Sequence, residues 1–194
     1  TLEGARVLDM GSGIGKNAHF FAERGASVTG VEISETAIAL AKERAKQTGV
    51  FVEYIQGDIG KTLPFHNGSF DAIFDILSSN SLSEHERRVY LSETHRVLKQ
   101  GGYFLLKALA KDGDKTARTL LSKYPGKEKD TYTLPKTSIV ELVFSEADLR
   151  SIYKPYFDIV SLKKTSHYPR IDGRLYKRNY FVVILQNSKV PPIS

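Results

Sequence analysis

Three glycines that follow an apolar strand are the residues best suited to bind a ligand. Gly11, Gly13 and Gly15 stand two apart in VLDMGSGIGKNA, and a helix is predicted directly after them. Glycines in a strand-to-helix turn let a ligand touch the backbone, and the free N–H groups at the helix start favour an anionic group. Asp9, two residues before the first glycine, adds a carboxylate. This pattern indicates a ligand that contacts the backbone and carries charge of both signs.

Two kinds of ligand use such a turn. A dinucleotide places its pyrophosphate there, usually under the pattern GxGxxG, whereas here the third glycine comes one residue early. S-adenosylmethionine has no phosphate; it carries a carboxylate, an ammonium and a sulfonium. The Asp9 carboxylate would crowd a pyrophosphate but would accept hydrogen bonds from an ammonium. The charges therefore favour S-adenosylmethionine, and an NAD-dependent oxidoreductase is the alternative.

Two further acidic residues end predicted strands. Glu32 ends the second strand, at the distance where an acidic residue binds ribose hydroxyls in either ligand class. A helix-start carboxylate near Ser34 is the other interpretation of Glu32. Asp58, in QGDI after the third strand, is placed to accept from the adenine amine while Ile59 packs on the ring. An Asx turn is the structural alternative for Asp58.

The elements that must position these residues alternate along the first half of the chain. Strands are predicted in ARVLDM, SVTGVEI, FVEYIQ, SFDAIFDI and GYFLLKAL. Helices are predicted from about Ile14 to Arg24, in SETAIALAKERAKQTG with Ser34 and Gly49 as caps, and in SEHERRVYLSETHRVLK, ended by Gly101 and Gly102. Continuously apolar strands that alternate with helices predict a parallel sheet covered on both faces.

The second half of the chain changes character. Residues 110–140 are polar and contain prolines, and we expect an insertion over one end of the sheet. A short helix capped by Ser145 follows. The strands FDIVSLKK and Leu175–Leu185 are separated only by a loop, so they are predicted to pair antiparallel. The whole chain, 1–194, is predicted to be a single domain, and no residue pattern resembles a metal site.

Composition limits the class of protein. The 194 residues suit one domain, no run of about 18 apolar residues predicts a membrane span, and cysteine is absent. With no signal peptide visible, we expect a cytoplasmic protein. Residues 1–95 hold 9 Lys+Arg against 13 Asp+Glu, and residues 96–194 hold 19 against 9. The basic half suggests an anionic acceptor or nucleic acid, or simply a solvated lysine-rich surface.

Taken together, these motifs resemble the class I S-adenosylmethionine-dependent methyltransferases. VLDMGSGIG is similar to the first motif of that family, VEIS to its acidic strand end and QGDI to its adenine-binding step, while FDAIFD and LKQGGYFLL match the fourth strand and the entry to the fifth. The resemblance implies a Rossmann-like doubly wound α/β fold with a seven-stranded sheet, order 3-2-1-4-5-7-6 and strand 7 antiparallel. It also implies S-adenosyl-L-methionine as methyl donor and S-adenosyl-L-homocysteine as product.

The resemblance assigns roles to nine residues. The three glycines would line the methionine portion and Asp9 would help to place its amino group. Glu32 would bind the ribose hydroxyls, and Ile33 would contact the adenine. Asp58 and Ile59 would hold the adenine edge. Asp75, at the end of the fourth strand, would lie beside the methyl donor, through its side chain or its backbone. In full, the implied cofactor-binding set is Asp9, Gly11, Gly13, Gly15, Glu32, Ile33, Asp58, Ile59 and Asp75.

The methyl acceptor is identified less closely than the cofactor. After FDAIFD comes ILSSNSL, which differs from the Asn/Asp-Pro-Pro-Tyr/Phe signature of enzymes that methylate nucleobase or glutamine amide nitrogens. A small-molecule acceptor is therefore favoured. RNA is the alternative, since SHYPRIDGRLYKR interleaves aromatics with basic residues. A non-catalytic S-adenosylmethionine-binding protein is a further alternative. A helical segment usually precedes the first strand in this family, and we expect it to be missing or trimmed here.

No catalytic residue is assigned from the sequence. Methyl transfer is an in-line displacement at the sulfonium methyl, so the protein mainly aligns the reactants and excludes water. A general base is needed only if the nucleophile arrives protonated. The candidates for that role are His167, Tyr168, Tyr176 and Asp75.

Overall fold

Strands and helices alternate through the first half of the chain in a computed structural model that describes residues 2–134, 137–168, 170–171 and 174–188. The elements are β1 (Arg6–Met10), α1 (Lys16–Ala22), β2 (Ser27–Glu32), α2 (Glu35–Thr48), β3 (Glu53–Gln56), β4 (Phe70–Ile76), α3 (Glu84–Val97) and β5 (Leu98–Leu109). A single 3₁₀ turn, Ser79–Ser81, lies between β4 and α3. Each strand predicted in this half is present.

The second half closes the sheet with two long strands. The elements are α4 (Lys115–Lys123), α5 (Glu146–Tyr153), β6 (Asp158–His167) and β7 (Arg178–Gln186), with a small hairpin of Thr131–Thr133 and Val140–Leu142 after α4. The segment expected to be a polar insertion therefore contains a helix and a hairpin. Within the described residues, no helix combines the length and apolar character needed to cross a membrane.

The seven long strands form one sheet. Their order is β3-β2-β1-β4-β5-β7-β6, with β7 antiparallel to both of its neighbours and the first five strands parallel. The predicted order and the antiparallel seventh strand are confirmed. Because the first five strands are parallel, their carboxyl ends, and the turns that follow them, meet at one edge of the sheet. The predicted ligand-binding residues lie at that edge.

Apolar side chains on the two faces of the sheet form separate cores. One core packs α1 and α2 on the sheet and includes Val7, Val28 and Ala41, all buried. The other packs α3 and α5 on the opposite face and includes Leu8, Phe104 and Leu149, each 0% exposed. The alternation of Val7 and Leu8 between the cores follows from the two-residue period of a strand. Both faces are therefore covered around β1, where the glycine turn begins.

The ends of α2 follow the predicted cap residues, whereas the end of α3 differs from the prediction. The Ser34 hydroxyl accepts from Ala37 N–H, and Gly49 ends α2 in the left-handed conformation, as predicted. By contrast α3 ends at Val97 and β5 begins at Leu98, so Gly101 and Gly102 lie inside the strand. A Cβ at Gly102 would stand 2.9 Å from the Asp71 carbonyl oxygen. That glycine therefore permits close strand contact instead of ending the helix.

Candidate functional site

The glycine turn after β1 has a backbone conformation that glycine adopts more readily than other residues. Gly11, Gly13 and Gly15 all have φ between 52° and 78°, a region that favours glycine. A Cβ on Gly11 would meet Ser78 Oγ at 2.2 Å, and one on Gly15 would meet Tyr54 Oη at 2.2 Å, whereas at Gly13 nothing lies within 4 Å. Gly11 and Gly15 therefore allow the side chains of Ser78 and Tyr54 to pack closely against the turn. Gly13 instead presents bare backbone to open space.

Glu32 joins the glycine turn to the end of β2. Its Oε2 accepts from Gly13 N–H at 2.8 Å, and its Oε1 accepts from Ser34 N–H at 2.8 Å. The carboxylate thus fixes the turn and the start of α2 together. Carboxylate oxygens have capacity for further hydrogen bonds, so this role leaves Glu32 able to accept from ligand hydroxyls.

A cleft of about 430 Å³ opens beside the turn. Its lining comes from the ends of β1, β2, β3 and β4, from the start of α3 and from the segment before the hairpin's second strand: Gly11, Glu32, Ile33, Gly57, Asp58, Ile59, Ser78, Ser81, Leu82, Glu86 and Ile139. Five of the nine predicted cofactor residues are in this lining. They are Gly11, Glu32, Ile33, Asp58 and Ile59.

Asp58 and Ile59 form the wall of the cleft that follows β3. Asp58 Oδ1 accepts from Gly60 N–H at 2.8 Å, which is the Asx turn considered above, and Oδ2 lies 3.7 Å from the exposed Lys61 ammonium. Ile59 is buried, while Ile33 on the opposite wall is 65% exposed. Asp58 therefore adopts the Asx turn and also lines the cleft, so the two interpretations are compatible.

Asp9 is buried and does not line the cleft. It is 1% exposed, between Gly30 of β2 and Phe74 of β4, and its Oδ2 has no hydrogen-bond partner among the described residues. Burial, and then the neighbouring Asp75 charge, raise the pKa of the Asp9 carboxyl to about 7. A nearby cation would stabilise its charged form.

Asp75 ends β4 and is fully buried. Its carboxylate accepts from Ser78 N–H at 2.8 Å, from Ser79 N–H at 3.2 Å and from the Tyr90 hydroxyl at 2.6 Å. Burial raises the pKa of Asp75, and these hydrogen bonds oppose the rise. The side chain holds the turn after β4, where Leu77 takes a φ of 71°. Asp75 therefore acts on the cleft through the turn, since Ser78 Oγ donates to Gly11 O at 3.1 Å.

The other general-base candidates lie outside the lining of the cleft. His167 ends β6 opposite Arg178, and Tyr168 is 57% exposed. Tyr176 is half-buried. None of the three is among the described residues that line the cleft. The structure does not bring these candidates together with the glycine turn.

Arg178, in the basic aromatic stretch, points into the protein. It is 8% exposed, donates to Tyr132 Oη at 2.9 Å and lies 3.6 Å from the buried Asp114 carboxylate. Although Arg178 is one of the basic residues of SHYPRIDGRLYKR, its buried and paired side chain is not placed to bind an acidic acceptor or RNA. Lys177 beside it is exposed. The side chains of Arg170 and Arg174 lie outside the described part of the chain.

Six lining residues were not singled out from the sequence: Gly57, Ser78, Ser81, Leu82, Glu86 and Ile139. Most come from elements that tertiary structure brings to the cleft, so no local motif identifies them. Glu86 is the exception with a readable signal, because Ser83 and Glu86 have the spacing of a capping box. That signal indicates a helix start and says nothing about a ligand.

The charges of the lining suit a cationic nucleoside better than a diphosphate. Three carboxylates, Glu32, Asp58 and Glu86, line the cleft, and no Lys, Arg or His is among its described lining residues. Nothing lies within 4 Å of a Cβ built on Gly13, which leaves space beside the turn, and the acidic groups suit hydroxyls, an amine and a sulfonium. A pyrophosphate would meet acidic side chains without a basic partner.

Comparisons with known proteins agree with this chemistry. A family model described as a methyltransferase domain matches residues 7–102. A fatty-acid O-methyltransferase of Mycolicibacterium smegmatis is 38% identical over 106 residues, which are 54% of this chain and 37% of that protein. A phthiotriol/phenolphthiotriol dimycocerosates methyltransferase of Mycobacterium tuberculosis is 35% identical over 105 residues, 53% of this chain and 37% of that protein. The chain thus matches well under half the length of these relatives.

A solved structure matches over nearly the whole chain. It is an S-adenosylmethionine-dependent methyltransferase from Methanosarcina mazei, with a TM-score of 0.83 and 28% identity, and the match covers 96% of this chain and 94% of that one. The fold and the family match together identify the class. The chain belongs to the class I S-adenosylmethionine-dependent methyltransferases, whose methyl donor is S-adenosylmethionine.

Proposed function

We propose that this chain binds S-adenosylmethionine in the cleft beside the glycine turn and methylates a small-molecule acceptor. The observation that carries the proposal is the acidic lining of the cleft around bare glycine backbone. Glu32 is placed to accept from the ribose hydroxyls, and Asp58 from the adenine amine. Ile33 and Ile59 supply apolar walls for the purine. Gly13 and its neighbours leave room for the methionine portion.

The nucleoside, when bound, supplies a methyl group activated by the positive charge on its sulfur. The chain contributes position: the wall of the cleft and the turn held by Asp75 fix one side of the reaction space. Correct alignment of the reactants is worth about 7–11 kcal/mol of barrier, so no acid or base is required for an acceptor that is already deprotonated. We assign no general base.

A small-molecule acceptor is supported by the relatives. The names of the two curated relatives describe methylation of a fatty acid and of phthiotriol-type lipids. The family match ends at residue 102, before α4 and the hairpin, and Ile139 beside that hairpin contributes an apolar side chain to the cleft. We therefore propose that the acceptor is recognised by the region between residues 110 and 143.

Calorimetry tests the cofactor proposal. S-adenosylhomocysteine should bind the purified chain and NADH should not. Glu32→Ala should weaken binding of S-adenosylhomocysteine by about 1–3 kcal/mol, since a hydrogen bond to a charged group is lost. Glu53→Ala, on the neighbouring strand β3 and exposed, is the matched control and should leave affinity unchanged. NADH binding without S-adenosylhomocysteine binding would refute the proposal.

Transfer of tritium from labelled S-adenosylmethionine tests the acceptor. We would supply fatty acids, phenols and heterocyclic amines in parallel with unmodified tRNA. Label in an organic-soluble small molecule supports the proposal. Label in tRNA alone would replace it with the RNA alternative.

A further inference from the structure

Glu86 has a free carboxylate oxygen at the cleft. It lies in the first turn of α3, where Ser83 N–H and the Ser83 hydroxyl each donate to Oε2 at 2.7 Å. The other oxygen, Oε1, has no hydrogen-bond or ion-pair partner among the described residues. Because Glu86 lines the cleft, a ligand there can use that oxygen.

Gly60 lets Glu86 lie close to Asp58. A Cβ built on Gly60 would stand 2.8 Å from Glu86 Cβ, 3.0 Å from Glu86 Cγ and 3.2 Å from Asp58 Oδ1. Glu86 Cγ and Asp58 Oδ1 thus flank the same small space. A side chain at position 60 would need one of these neighbours to shift. The side chains of two acidic residues from different elements therefore lie on either side of Gly60, in the wall of the cleft that follows β3.

The carboxylates of Asp58 and Glu86 differ in the hydrogen bonds and ion pairs that they already make. Asp58 holds its own turn through Oδ1 and has the Lys61 ammonium near Oδ2. Glu86 uses one oxygen for the helix cap, and its other oxygen has no hydrogen-bond or ion-pair partner among the described residues. The hydrogen bonds from Ser83 hold the pKa of Glu86 below its usual value, so it is ionised at neutral pH. An ionised, unpaired oxygen in this place suits a ligand group with more than one N–H donor.

We propose that Glu86 is a further cofactor-binding residue, which accepts the second N–H of the adenine amino group while Asp58 accepts the first. An exocyclic amine has two N–H donors in one plane, and carboxylates on either side can satisfy both. This inference rests on the proposed function, because it assumes that the cleft holds an adenine nucleoside. If Glu86 has this role, a residue of α3 contributes to the selection of the purine.

The test compares two ligands on four proteins. The ligands are S-adenosylhomocysteine and its 6-deamino analogue, in which hydrogen replaces the purine amino group, and the readout is the ratio of their dissociation constants by calorimetry. The proteins are the unchanged chain, Glu86→Ala, Glu86→Gln and Ser83→Ala. Gln at this position keeps the capping box, so Glu86→Gln removes the charge without removing the cap. Ser83→Ala weakens the cap but keeps the carboxylate.

The unchanged chain should prefer S-adenosylhomocysteine. Glu86→Ala and Glu86→Gln should each reduce that preference by about tenfold, with the affinity for the deamino analogue nearly constant, because both lose the amine contact. In Glu86→Gln the single carbonyl oxygen stays on the cap, and the amide N–H groups at the other position cannot accept from an amine. Ser83→Ala should lower the melting temperature and keep the preference. If Glu86→Ala does not fold, Glu86→Gln decides the question.

Three results would overturn the inference. They are an unchanged preference in the Glu86 variants, an equal loss of affinity for both ligands, and no preference in the unchanged chain. Failure of the unchanged chain to bind S-adenosylhomocysteine at all would instead refute the proposed function.

Discussion

Three acidic residues at the ends of neighbouring strands have different roles because their burial differs. Glu32 is half-buried and holds the glycine turn, whereas Asp9 and Asp75 are withdrawn from solvent. The sequence predicts that these three carboxylates lie at strand ends, since strands are predicted from the periodicity of neighbouring residues. It does not predict which of the three side chains is buried. Asp75 was expected beside the methyl donor through its side chain or backbone, and its carboxylate accepts hydrogen bonds from Ser78, Ser79 and Tyr90.

Burial of Asp9 gives a pH dependence with a defined sign. The pKa of Asp9 is raised in the folded state, from 3.8 to about 7. Its contribution to stability is therefore fully present below pH 3.8 and is lost as the pH rises towards 7. Between pH 5 and pH 8 we expect the free energy of unfolding of the ligand-free protein to fall by about 2–3 kcal/mol relative to Asp9→Asn.

Urea unfolding at the two pH values measures this difference. Asp9→Asn cannot ionise at this position, so the comparison cancels the titration of groups that do not interact with Asp9. A gap between the two proteins that stays constant from pH 5 to pH 8 would contradict the account of Asp9.

At the scale of elements, local signals predict the glycine turn and several helix ends. The positive φ values at the three glycines and the caps at Ser34 and Gly49 need only neighbouring residues. The region from 110 to 140 is different. Its helix α4 begins where Asp114 accepts from Ala117 N–H, and the same carboxylate accepts from Asn179 N–H, 65 residues away. Such long-range contacts are absent from any local pattern, which is why the sequence predicts only a polar insertion there.

Replacement by alanine should lower the free energy of unfolding by different amounts at two glycines with similar φ values. Gly4 and Gly15 have φ of 71° and 78°, yet a Cβ at Gly4 meets nothing within 4 Å, while one at Gly15 meets Tyr54 Oη at 2.2 Å. Gly4→Ala should cost about 1–2 kcal/mol, from the left-handed conformation alone. Gly15→Ala should cost about 1–3 kcal/mol more, since Tyr54 must move. Equal losses in chemical unfolding would show that α1 and β3 do not pack as described.

Acidic and basic residues are unevenly distributed between the two halves of the chain. The cleft beside the glycine turn draws most of its lining from the acidic first half, and the basic residues concentrate after residue 95. The sheet order was expected from the family resemblance, and the cleft's position at the carboxyl ends of the strands from the alternation of strands and helices. Ile139 and Glu86 were not, since the hairpin region and α3 reach the cleft only through the folded structure.

Charge at this scale also bears on the RNA alternative. The buried ion pair of Arg178 removes one basic group from the surface of the aromatic stretch. We expect labelled tRNA to bind no more tightly than about 10 µM at about 150 mM salt, within the range of non-specific binding. Fluorescence anisotropy over a salt series measures it. Submicromolar binding with a steep salt dependence would instead favour an RNA acceptor.

A crystal structure with S-adenosylhomocysteine tests the central claim most directly. The acidic cleft predicts density beside the glycine turn, with the ribose hydroxyls within hydrogen-bond distance of Glu32 and the purine against Ile59. Crystals that leave this cleft without the nucleoside, but hold NADH there when grown with it, would contradict the account.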